Sequence, residues 1–212
     1  MSDAYQIDRS GNTLFDATGR RFDAERRRWL AATKKKSAGK LEELDSIAAV
    51  NWLQRESSYP LREPIGVIGP RAPTAAQLAA ALKVGELLGD CRLTVLCGGR
   101  QGVMQAVCEG VARVGGLSIG LLPDADASEA NSFVSVPIAT GIGEARNALI
   151  ARGSFCLIAI GDSLGTLSEI ALGRHFGKTV IGLEGAAQIE GVKHVATAKD
   201  AVQCVAEAIL RP

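Results

Sequence analysis

Three glycine-bearing turns stand between an apolar run and a segment of helical spacing: Gly69-Pro70-Arg71, Gly98-Gly99-Arg100-Gln101-Gly102 and Gly161-Asp162-Ser163-Leu164-Gly165-Thr166. A helix that starts at such a turn offers unpaired N–H groups and the positive end of its dipole, and both favour an anion. A single turn says little, because glycine also serves any tight strand-to-helix connection. Three on one edge of a sheet would cradle a phosphate. Arg146 shares a helical stripe with Ile142, Leu149 and Ile150. A guanidinium there snorkels to water, pairs with a neighbouring acid, or clamps an anion through two parallel hydrogen bonds. Glu169 lies one turn into a helix expected to begin near Thr166 and can face the same cavity. Thr166-Leu167-Ser168-Glu169 also spells a capping box, in which the carboxylate only returns a hydrogen bond to the cap backbone. Arg71 and Arg100 follow strand ends, where either an anion or water can meet them.

Other chemistries fare worse. Gly161-Asp162-Ser163-Leu164-Gly165 fits the nucleophile elbow of serine hydrolases. The chain has two histidines, His175 and His194. His175 sits beside Arg174 at a helix end, where it complements the dipole. A triad of Ser163, Glu190 and His194 can be written, but no oxyanion loop accompanies it. No histidine or cysteine spacing suits a metal. The five cysteines form no CxxC pair and fall mostly in apolar runs, so they read as buried reduced thiols, Cys97 included. Gln101 and Met104 read as helix-start and packing residues.

The elements that must position these residues are plain from about Ile65 onward. Short apolar runs, IGVIG, LTVLC, LSIGLLP, FVSVPIA, FCLIAI and TVIGL, alternate with helical segments near 74–88, 101–114, 142–152, up to about Phe176, and 199–210. That alternation predicts βαβ units: an α/β, Rossmann-like, mostly parallel sheet sandwiched by helices. The first sixty residues differ. Two turn signals around YQID and TLFDATGRRF predict a small hairpin, a charged segment holding Arg26, Arg27, Arg28 and Lys34, Lys35, Lys36 reads as helical, and Leu44, Ile47, Ala48 and Leu53 suggest a second helix over 41–56. The expected division is therefore a hairpin-plus-helix extension over 1–62 and a Rossmann-like domain over 63–212.

Length suits one domain with an appendage: 212 residues, 47% of them hydrophobic and 4% aromatic, so the core rests on aliphatic side chains. The 24 basic and 23 acidic residues leave a formal charge of +1, which gives no global pull toward nucleic acid or anionic membrane. The basic clusters read as a solvated face or linker; single-strand nucleic-acid binding is the rival reading. With no apolar leader and no spanning stretch, a cytoplasmic protein with no membrane partner is expected.

GGRQGVMQAVCEGVARVGGLSIGLLP, EARNALI and GDSLGTLSEIA resemble the LOG-like, lysine-decarboxylase-like group of Rossmann proteins over about 65–185. That group holds the Lonely Guy phosphoribohydrolases, molybdenum-cofactor carrier proteins and relatives of the DNA-processing protein DprA. The carrier-like branch is nearest in pattern. The resemblance implies that Gly165, Thr166 and Glu169 occupy the family's glycine-threonine-glutamate signature and that Arg146 matches its active-site arginine. In the hydrolases this glutamate assists N-glycosidic cleavage of a nucleoside 5′-monophosphate and the arginine holds substrate. Two departures remove anion affinity. Gly161-Asp162-Ser163 replaces Pro-Gly-Gly, placing the Asp162 carboxylate near the phosphate unless it points away, and Asn147 replaces a lysine.

The expected function is binding of a phosphorylated small ligand, a nucleotide or the molybdenum cofactor, with no cofactor required. Gly69, Arg71, Gly98, Gly99 and Gly102 would form one side of the site. Arg146, Asn147, Ser163, Gly165, Thr166 and Glu169 would form the other. The enzyme alternative is a nucleoside 5′-monophosphate phosphoribohydrolase with Glu169 and Arg146 as its catalytic pair. A homodimer or higher homo-oligomer is expected.

Overall fold

The computed structural model describes residues 4–31 and 40–211. Two compact units emerge, one of Met1–Leu61 with Gln203–Pro212, the other of Arg62–Val202.

The first unit is built on β1 (Tyr5–Asp8), β2 (Thr13–Asp16), β3 (Arg21–Asp23), β4 (Arg28–Leu30), β5 (Leu41–Leu44) and α1 (Ser46–Arg55). The strands form one antiparallel sheet in the order β4-β3-β2-β1-β5. Its turns are closed by short acids. Asp8 accepts from the Ser10 amide at 2.9 Å, and Asp16 from the Thr18 and Arg20 amides at 3.0 and 2.9 Å. The sheet is larger than the expected hairpin, and the charged stretch is not a helix where it is described. Arg27 takes a positive φ of 48° to turn the chain, and β4 then pairs Trp29 with Phe22 of β3. The Trp29 ring lies 4.9 Å from that of Phe22 and 5.9 Å from that of Tyr5. This aromatic burial outweighs the helical preference of the arginines around it. Lys34, Lys35 and Lys36 lie outside the described residues. The helix expected over 41–56 is interrupted by Asp45, whose carboxylate caps α1 by accepting from the Ala48 amide at 2.8 Å. Residues before this cap pair with β1 instead. The buried face of α1 carries Ala49, Val50, Trp52 and Leu53.

The second unit runs β6 (Ile65–Ile68), α2 (Ala75–Asp90), β7 (Val95–Cys97), α3 (Val103–Arg113), β8 (Ser118–Leu122), β9 (Val136–Ala139), a 3₁₀ turn (Gly143–Ala145), α4 (Arg146–Gly153), β10 (Leu157–Ile160), α5 (Leu164–His175), β11 (Val180–Leu183) and β12 (Val192–His194), and ends within α6 (Ala198–Leu210), whose residues from Gln203 belong to the first unit. Its seven strands are ordered β12-β11-β10-β6-β7-β8-β9, and every neighbouring pair is parallel. Strands β6, β10 and β11 are buried along their whole length, as expected where helices cover both faces. Helix α2 starts on a complete capping box of Thr74 and Gln77. It approaches α3 closely because both helices use glycine at the crossing. A Cβ on Gly85 would collide with the Val107 carbonyl, and one on Gly110 with that of Leu82. The helix expected over 142–152 divides into the 3₁₀ turn and α4. Strand β12 has no apolar run to announce it; it is a three-residue edge strand on β11. Among the described residues no helix is long and apolar enough to cross a membrane.

The topology decides where a site can form. From β6 the chain adds β7, β8 and β9 on one side, then returns to lay β10 against the other side of β6. The strand order reverses between β6 and β10, and a crevice opens at the carboxyl ends of such a pair. Because β7, β6 and β10 are adjacent and parallel, all three glycine turns share that rim.

Candidate functional site

A cavity of about 600 Å³ occupies this crevice. Gly69 and Arg71 enter from the end of β6, and Gly98 from the end of β7. Glu144, Arg146 and Asn147 come from the 3₁₀ turn and α4, and Ser163, Gly165, Thr166 and Glu169 from the start of α5. The bare backbone at the β7 end gives the Arg146 guanidinium its place: a Cβ on Gly98 would overlap it and push it aside. Gly161 has a positive φ of 70° and turns the chain out of β10. Ser163 then caps α5, its Oγ accepting from the Thr166 amide at 3.1 Å and sharing a hydrogen bond with Thr166 Oγ1 at 2.8 Å. The positive end of the α5 dipole therefore opens on the cavity.

Arg146 and Glu169 form the floor, 4% and 7% exposed, with Nη1 3.6 Å from Oε1. Burial pushes the Glu169 carboxyl up to about 8, against the pull of Arg146, and Glu144 adds to the rise. Burial also lowers the Arg146 pKa, with Glu169 and Glu144 opposing that change. A guanidinium starts so far above neutrality that it stays charged. At neutral pH the floor is thus a cation beside a protonated carboxyl, so their 3.6 Å approach is not a full ion pair. Arg146 Nε is buried and has no hydrogen-bond partner. A buried donor left unmet costs about 1–3 kcal/mol. Asn147 is engaged differently: its Nδ2 donates to Ser168 Oγ at 3.0 Å, and that hydroxyl donates to the Gly165 carbonyl at 2.7 Å. The amide braces α4 against α5 where the LOG-like hydrolases carry lysine.

Nine of the eleven residues expected in the site line this cavity; Gly99 and Gly102 do not. Both have positive φ, 73° and 75°. Gly99 backs onto Gly120, and a Cβ on Gly102 would strike the Pro70 and Arg71 carbonyls, so they shape the turn without facing the cavity. Arg100 pairs with Asp124 instead of reaching the crevice. Asp162 is exposed and absent from the cavity lining, which relieves the expected clash with phosphate. The capping-box alternative for Glu169 fails because α5 starts at Leu164, two residues earlier than expected, and Ser163 takes the capping role. Of that stripe only Ile150 follows Arg146 inward; Leu149 is nearly half exposed, as is Ile142, which precedes the 3₁₀ turn. Ser163 shows no elbow strain, its φ of −167° being ordinary extended backbone, and neither histidine lines the cavity. All five cysteines are free and buried, and Cys97 Sγ accepts from the Gly99 amide at 3.4 Å. Among the described residues no cluster of three potential metal ligands occurs.

Sequence reasoning missed Ile68, Glu144, Leu164 and Ser168, and assigned Met104 to packing alone. Met104 is buried and lines the wall. Glu144 stands between glycine and alanine at the start of the helix expected over 142–152, and nothing in its neighbourhood marked it.

Comparison with known proteins agrees with the resemblance. Residues 62–209 match the model of the SLOG cluster4 family. An uncharacterised protein of Archaeoglobus fulgidus is 36% identical over 146 residues, covering 68% of this chain and 96% of its own. The molybdenum cofactor binding protein of Rippkaea orientalis superposes with a TM-score of 0.67 at 32% identity, covering 70% of this chain and 99% of that one. The molybdenum cofactor carrier protein of Chlamydomonas reinhardtii gives 0.63 at 31%, covering 71% and 100%. DprA of Streptococcus pneumoniae gives 0.54 at 19% identity, covering 66% of this chain and 60% of its own, a likeness of fold alone.

Proposed function

The chain belongs to the SLOG cluster4 family, and from that premise we propose that its cavity binds a phosphate-bearing small ligand, a nucleotide or a molybdenum-cofactor-like molecule, in a carrier role. One observation carries the reading: a buried guanidinium lining a crevice that a helix N-terminus also faces. The protonated neighbour supports it as well, because a neutral Glu169 donates to an anion where a carboxylate would repel it. The names of the Rippkaea and Chlamydomonas proteins support the molybdenum cofactor as one such ligand. In this reading Arg146 clamps the phosphate, the start of α5 stabilises its charge, and Asn147 and Ser168 hold the two walls together.

The Arg146–Glu169 pairing supports a second reading, hydrolysis of the N-glycosidic bond of a nucleoside 5′-monophosphate. Glu169 would then act on the bond between base and ribose while Arg146 holds the phosphate. Incubation with AMP, followed by titration calorimetry and chromatography, separates the two. Saturable binding without release of adenine is expected for the carrier. Release of adenine and ribose 5-phosphate that disappears in Glu169→Ala would establish the hydrolase. Failure of AMP to bind, with no phosphate-bearing adduct in native mass spectrometry of gently purified protein, would overturn both.

A further inference from the structure

The mouth of the cavity carries a second charged pair. Arg71 Nη2 stands 3.5 Å from Glu144 Oε1, both residues line the cavity, and their side chains are 50% and 67% exposed. We propose that Glu144 is a tethered counter-anion that occupies Arg71 at the mouth until an anionic ligand displaces it, making Glu144 a specificity-determining residue of the site. The inference rests on the phosphate reading above.

The two backbones that carry the pair are fixed, so only side chains need move. The Pro70 carbonyl accepts from the Val103 amide at 3.1 Å, and Gly102 packs against the Pro70 and Arg71 carbonyls too closely for any Cβ. On the opposite side, Gly143 takes a positive φ of 58° and donates to the Pro123 carbonyl at 2.9 Å, which anchors the 3₁₀ turn bearing Glu144. The latch is electrically joined to the floor: the charges of Arg71 and Glu144 both act on Arg146, and Glu144 also acts on Glu169. An exposed ion pair is weak enough to be exchanged. A ligand phosphate seated on Arg146 carries the charge that can replace the Glu144 carboxylate at Arg71. A ligand without that charge would leave the latch closed, so Glu144 selects against neutral and weakly charged molecules.

Titration calorimetry with AMP on the full chain tests this as a double-mutant cycle. Glu144→Gln, at an exposed position that the fold tolerates, is expected to tighten AMP binding about two- to fivefold at low salt. In an Arg71→Ala background the same change is expected to bring a clearly smaller gain, because only the direct action of Glu144 on the ligand and on Arg146 is left to remove. Unchanged affinity in Glu144→Gln, or an equal gain in both backgrounds, overturns the latch while leaving the phosphate site intact. Absence of AMP binding in the wild type and every variant overturns the phosphate reading and the latch with it.

Discussion

Replacing Arg146 with methionine is expected to weaken AMP binding at least about thirtyfold in titration calorimetry while leaving the chain folded at pH 7. The loss is large because a buried cation meets an anion with little competition from water, and truncating one partner of such a contact costs about 2–5 kcal/mol. Folding survives because burial keeps Glu169 protonated at that pH, so the substitution strands no buried carboxylate. Methionine replaces the aliphatic stem of the lost side chain with a flexible apolar one and leaves only the guanidinium end unfilled. Arg146→Lys is expected to recover only part of the affinity, since an ammonium lacks the planar fork that grips two phosphate oxygens. Gly98→Ala should imitate the loss from the other direction, as its Cβ would occupy space the guanidinium now fills. Affinity within threefold of wild type in Arg146→Met would remove the guanidinium from the binding mechanism.

The second large effect is on stability, and it depends on pH. Glu169 titrates near its ordinary 4.5 when unfolded and at about 8 when folded. Between those values the native chain holds a proton that the unfolded chain has released, so stability falls as pH rises through this window. The penalty is absent below about 4.5 and complete above about 8, where it is on the order of a few kcal/mol. Glu169→Gln keeps the shape and removes the titration. Its melting temperature is expected to equal or trail the wild type at pH 5 and to exceed it by roughly 10 °C at pH 9. The same difference at both pH values would mean that the carboxyl is not held protonated. A ligand phosphate beside Glu169 should bind more weakly above pH 8 for the same reason.

The parallel sheet was legible because strands buried on both faces must be continuously apolar, and IGVI, LIAI and VIGL stand out between polar turns. The rim was legible through its glycines: a positive φ at Gly161 and the close approach of Arg146 at Gly98 both favour glycine. Arg146 was marked by family pattern and its place on an apolar stripe, Glu169 by family pattern and its place one turn into a helix. The antiparallel sheet of the first unit was hidden because its strands are three or four residues long and two of them begin with arginine. Such strands gain their stability from cross-strand aromatics such as Tyr5, Phe22 and Trp29, which no local window reveals. Two further features depend on where elements begin. The start of α5 at Leu164 hands the cap to Ser163, and the 3₁₀ turn before α4 carries Glu144 to the mouth. A shift of one or two residues at a helix start is beyond periodicity, yet it decides which side chains meet.

A crystal structure of the chain with AMP is the most direct test of the phosphate site. The expected result places phosphate oxygens within hydrogen-bond distance of the Arg146 guanidinium, at the start of α5, with Arg71 turned from Glu144 toward the ligand. Phosphate seated elsewhere, or Arg146 still without an acceptor at saturating AMP, would contradict it.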